Sequence, residues 1–88
     1  VKTLNTVNAM LMVDPGRVAA GDHDLFVCGN NAEAKQRVTQ LLGTWFGWKR
    51  VVDLGDITNS RATEMLLPIW VRLYGVLRTP MFNLKVVQ

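Results

Sequence analysis

Asp56-Ile57-Thr58-Asn59-Ser60-Arg61, running on through Glu64 and Leu67-Pro68 to Thr79-Pro80-Met81-Phe82-Asn83-Leu84-Lys85, decides the reading of this chain. It is a polar strand-to-helix junction, then a long apolar helix, a short turn and an apolar tail. Thr58 or Asn59 is expected to cap the helix. Its apolar positions Ala62, Met65, Leu66, Ile69, Trp70, Leu73 and Leu77 recur at helical spacing and point one way. Pro68 should bend the helix or mark its restart. The apolar run Met65–Leu77 falls short of the ~20 residues that a membrane-spanning helix requires, so a buried helix is expected and no membrane span.

Upstream, Arg50-Val51-Val52-Asp53-Leu54 reads as a short strand closed by Gly55. Leu25-Phe26-Val27-Cys28 is an apolar run suited to a strand buried on both faces. Asn31 is a plausible N-cap with Glu33 in the first turn. A helix should run from Ala32 to about Trp45, with Ala34, Val38, Leu41, Leu42 and Trp45 on its apolar face, weakened at Gly43 and ended at Gly47. Val1–Thr6 has a period-two strand pattern ended by Asn5-Thr6 and Asn8. Ala9–Val13 is a short apolar run stopped by Asp14-Pro15-Gly16, a turn signal. Strands alternating with helices imply an α/β fold with a mainly parallel sheet and two covering helices, one domain over residues 1–88.

Eighty-eight residues, 49% hydrophobic and 19% charged, make a small globular chain rich in apolar side chains for its size, which fits a domain with a neighbour to pack against. The net charge of +3 comes from cations scattered from Lys2 to Lys85, with only Lys49-Arg50 adjacent. Nucleic-acid binding, which needs a basic stripe, is not expected. The lone Cys28 excludes an internal disulfide and offers no metal-ligand spacing, and a reducing, cytoplasmic location is expected. His23, between two aspartates, reads as a solvated loop histidine. Cys28, mid-strand, reads as a small hydrophobe rather than a nucleophile.

Taken with Lys2-Thr3-Leu4-Asn5-Thr6-Val7 and Phe26-Val27-Cys28-Gly29-Asn30, the opening stretch resembles the dinucleotide-binding reductases typified by archaeal NADPH:coenzyme F-420 (deazaflavin) oxidoreductase. The cytosolic reductase domains of six-transmembrane metalloreductases look similar through the first two of these three segments. The resemblance covers essentially the whole chain but only the C-terminal part of the family's Rossmann-like fold. No two of the seven glycines lie two positions apart, so the G-x-G-x-x-G phosphate loop cannot be written here. The part that carries it is expected to lie outside these residues.

The resemblance implies that Asn5, Thr6, Val7, Asn8 and Ala9 border the nicotinamide of NADP(H). It implies that Asn59, Ser60, Arg61 and Glu64 border a deazaflavin or flavin hydride acceptor, with Arg61 on an anionic part of it. It departs at Asn5, where the archaeal enzyme has a histidine, and the acceptor stays open. Two plainer readings stand beside these. Asn5–Asn8 could simply terminate a strand, and Arg61 and Glu64, three apart on a helix, could form a surface ion pair. Trp70, Tyr74, Met81 and Phe82 are more often core residues than flavin-stacking ones. The expected function is part of an NADPH-dependent hydride-transferring oxidoreductase, inactive as 88 isolated residues. The alternative is a non-catalytic remnant that pairs with itself, as a homo-oligomer, or with a separate nucleotide-binding part through an open sheet edge.

Overall fold

The computed structural model describes Val1–Gln88. Three short strands, β1 (Lys2–Thr3), β2 (Leu25–Cys28) and β3 (Val51–Asp53), form one sheet in the order β1-β2-β3. β2 and β3 run parallel, with Leu25 opposite Val51 and Val27 opposite Asp53. β1 and β2 run antiparallel, with Lys2 opposite Cys28 and Thr3 opposite Val27. The sheet is therefore mixed rather than mainly parallel. A parallel pairing needs a crossover that carries the chain back along the sheet, usually on a full helix. Between β1 and β2 the only α-helix is α1 (Ala9–Val13), followed by 3-10 turns at Pro15–Arg17 and Ala19–Gly21. Between β2 and β3 the longer α2 (Ala32–Leu41) supplies the crossover.

β2 is the central strand, and Leu25, Val27 and Cys28 are buried on it, as its continuous apolar run requires. Asn31 caps α2, its Oδ1 accepting the Ala34 N–H at 2.9 Å. Past Leu41 the helix widens into a π turn over Leu42–Phe46 and stops at Gly47, whose φ of +87° suits a residue without Cβ. A π turn rotates each residue by less than 100°, so the helical register slips. Trp45, expected on the inner face, is 68% exposed, and Trp48 fills the interior instead at 4%. The core is Val7, Leu11, Leu25, Leu42 and Trp48, with Val38, Phe46, Val51 and Met81 packed around it.

The last third departs further from expectation. Asn59 holds the N-cap position of the helix but makes no capping bond with its side chain; Asp56 caps the 3-10 turn before it (Ile57–Asn59), its Oδ1 accepting the Thr58 N–H at 2.9 Å. The helix forms in two pieces, α3 (Ser60–Glu64) and α4 (Leu67–Leu77), with Pro68 in the first turn of α4, the restart that a residue without an N–H favours. α4 is not a buried helix, because none of its residues is buried, and Leu67, Ile69, Val71, Tyr74, Val76 and Leu77 are exposed.

His23 is the other reversal. It is 3% exposed, with Nε2 at 2.8 Å from the Pro15 carbonyl oxygen and Nδ1 at 2.8 Å from Asn83 Nδ2. Neutral imidazole meets both contacts when Nε2 carries the proton and Nδ1 accepts. Its ring also meets Trp48 edge-on, centroids 5.3 Å apart. The tail brings Asn83 back to it: the Asp24 N–H donates to Leu84 O at 3.0 Å, and the Val86 N–H donates to Asp24 Oδ2 at 2.6 Å.

Candidate functional site

β1 ends because Leu4 takes a left-handed φ of +69°, costly for a side chain with a Cβ. That turn breaks the period-two alternation and sends Thr6 and Val7 inward together, both buried. Asn8 then caps α1, its Oδ1 accepting the Leu11 N–H at 3.0 Å, while its Nδ2 donates to Pro80 O on the tail. Leu11, so positioned, is completely buried.

Between this segment and α4 lies a cavity of about 200 Å³. Asn5, Thr6, Val7 and Asn8 form one wall; Leu66, Leu67, Ile69, Trp70 and Leu73 form the other, and Leu84 of the tail closes it. Seven of these ten residues are hydrophobic, so the lining is mostly apolar. Small-molecule sites usually measure ~300–1,000 Å³. This cavity is the size of one ring, not of a dinucleotide or a whole tricycle.

Four of the five residues expected at a nicotinamide therefore come together, and Ala9, exposed at the start of α1, does not line the cavity. Asn8 uses both ends of its amide on the cap and the tail, so its role here is architectural. The second expected group stays outside the cavity. Asn59 Nδ2 donates to Leu54 O at 2.6 Å, and the Ser60 carbonyl accepts from Thr63 Oγ1 at 2.9 Å. Glu64 pairs with Lys2 of β1 rather than with Arg61. It also lies 3.4 Å from Asn5 Nδ2, the one contact that joins the two groups. Arg61 is exposed and makes no ion pair among the five present.

The α4 wall was not legible as a site. Leu66, Trp70 and Leu73 fall at i, i+4 and i+7, the spacing of any core stripe. Only the tryptophan among aliphatics hinted at more. Trp70 stacks on Tyr74, centroids 5.7 Å apart at 16°, and tilts against Phe82 at 5.2 Å.

Charges at the end of β3 serve the turn. Asp53 accepts the Gly55 N–H at 2.8 Å and Lys35 Nζ at 3.0 Å. The Gly55 N–H first, then the lysine, hold its carboxyl below the usual range. The Thr58 hydroxyl and N–H do the same for Asp56. Gly55 sits at φ +101°, and a Cβ there would come within 3.1 Å of Asn59 Nδ2. These are ionised turn carboxylates, not proton-transfer groups.

No family model matches the chain, and no curated protein does. Among solved structures, the chain is similar to a candidate coenzyme F-420-dependent NADP-reductase from Arthrobacter sp. FB24. The two are 59% identical with a TM-score of 0.95, over 99% of this chain and 39% of that one. The chain thus spans well under half the length of its relative. Identity at that level over nearly the whole chain carries likeness in sequence as well as fold, and the chain resembles the C-terminal part of the coenzyme F-420-dependent NADP-reductase family.

Proposed function

We propose that these residues form the ring-binding end of an NADPH-dependent oxidoreductase that moves a hydride between NADP(H) and a deazaflavin- or flavin-like acceptor. The observation that carries this reading is the cavity between Asn5–Asn8 and α4, in a chain 59% identical to a candidate NADP-reductase. When bound, the nicotinamide supplies or takes the hydride; the protein orients it and keeps water away. Val7, Leu67 and Leu73 supply the apolar walls of the cavity. Arg61, unpaired at the start of α3 and one turn from Glu64, is free to meet an anionic part of the acceptor. The residues present fit a single ring. They do not fit a pyrophosphate, since no closely spaced glycines present their N–H groups to one. That anchor comes from outside this chain, and the 88 residues alone do not catalyse.

Intact mass and NADPH titration of the native source protein test this. Binding by a species well above 9.9 kDa supports it. A native mass equal to this chain, with no binding, overturns it. For the isolated chain, a Kd near ~1 μM, about −8 kcal/mol, would defeat the claim that the anchor lies elsewhere.

A second reading has its own observation. β1 has a strand neighbour on one side only, and α4 leaves its apolar residues in solvent. An interaction module that pairs with itself or with a separate nucleotide-binding part would cover both. Light scattering that finds a stable monomer at high concentration removes the self-pairing form.

A further inference from the structure

The tail after α4 has no regular structure, and its middle is held by a histidine that does not line the cavity. Asn83 Nδ2 donates both to His23 Nδ1 and to the Asp24 carbonyl, each at 2.8 Å. The other ring nitrogen, Nε2, faces the Pro15 carbonyl oxygen. A carbonyl can only accept, so Nε2 carries a proton, and Nδ1 accepts only while the ring is neutral. A second proton, on Nδ1, would face the Asn83 N–H. Turning the amide over would offer Oδ1, which is buried without a partner, but would set that oxygen against the Asp24 carbonyl. The contact therefore suits one protonation state of the ring.

The charged groups around His23 are engaged with one another. On its own segment Asp22 pairs with Lys85 of the tail, and Asp24 with Arg50 at the entry to β3. Asp14 pairs with Arg17 across the Pro15 turn, and Lys49 donates to the Ala20 carbonyl. No carboxylate forms an ion pair with the imidazole. Trp48, edge-on to the ring, carries no charge. A proton added to a ring that is 3% exposed thus meets no compensating anion.

We propose that His23 and Asn83 form a proton-operated latch that holds the tail across the cavity. With the ring neutral, Asn83 is anchored and its neighbour Leu84 closes the cavity. A proton bound at Nδ1 breaks the Asn83 contact and frees residues 83–86, which opens that wall. Pro80, whose carbonyl accepts from Asn8, stays in place as the hinge. The latch is independent of what the cavity holds.

The test is hydrogen–deuterium exchange of the native source protein between about pH 8 and pH 5, the interval in which histidine is the side chain that ordinarily changes charge. The readout is the peptide over residues 83–88, where the Val86 N–H donates to Asp24 Oδ2, referred to α2 in the same sample. Protection of the tail relative to α2 is expected to fall about tenfold on acidification, the worth of one hydrogen bond. His23→Asn keeps an acceptor near the Nδ1 position and does not titrate, so its tail should stay equally protected across the interval. A native tail whose protection does not change, or a His23→Asn tail that loosens as the native one does, overturns the latch. Should His23→Asn fail to fold, the ring ¹⁵N shifts of His23 in the native protein decide. A ring that gains its second proton where the tail loosens supports the latch, and a ring still neutral there overturns it.

Discussion

The entry to β2 and the outer face of α4 are opposites built from one chain. At His23-Asp24 polar groups are buried and nearly all are partnered. Arg50 Nη2 reaches Asp24 Oδ2 at 2.7 Å and Val86 O at 2.6 Å, and Asn83 Nδ2 donates to the Asp24 carbonyl at 2.8 Å. On α4 apolar groups are exposed, Val76 at 78% and Leu77 at 50%. A buried charge must find a specific partner, so that corner is complete within this chain. An apolar face needs only cover, from any source, and these residues do not supply it. The polar corner thus finds its ion pair within the chain, whereas the apolar face is left uncovered.

The contrast can be broken at its strong end first. Arg50→Ala leaves the Asp24 carboxylate buried at 2% side-chain exposure with only the Val86 N–H against it. A loss of about 3–5 kcal/mol is expected, measured by urea unfolding, with faster amide exchange along Asn83–Val86. A loss under ~1 kcal/mol would mean that the tail is not held there. Val76→Ser, at the opposite extreme, should change stability by less than ~0.5 kcal/mol. If the second reading holds, it should still weaken self-association in sedimentation. A large destabilisation would show that α4 is already covered.

The smallest effect is on pH. Lys85 beside Asp22, through a hydrogen bond and then its charge, holds that carboxyl below its usual range, as their neighbours do for Asp53 and Asp56. A depressed folded value means that the stabilisation is fully present above the ordinary carboxylate range, near ~4. It is lost as pH falls through the lower folded values. Exchange at Lys85 should therefore rise in acid, while α4, which has no acidic residue, should not respond. Equal responses in both would erase the distinction.

Local signals were the legible ones. The Leu25–Cys28 strand, the Asn31 cap, the stop at Gly47 and the restart at Pro68 each rest on chemistry within a few residues. The inward Thr6-Val7 pair was legible as a polar strand end. The α4 wall was not, because a stripe facing a cavity has the same periodicity as one facing a core. His23 misled for a related reason. Its partners Pro15 and Asn83 lie 8 and 60 residues away, and aspartate neighbours suggested solvent.

By itself, then, the sequence determined an α/β chain whose strand and helix segments are set by caps, glycines and apolar runs, and it carried the family likeness. Only the tertiary structure decided that β1 pairs antiparallel, that Trp48 replaces Trp45 in the core, and that Thr6 and Trp70 line one cavity. The physical reason is range. Propensity and capping act over a few residues, whereas strand direction, helical register past a π turn and hydrogen-bond satisfaction depend on groups that meet only once the chain has closed on itself.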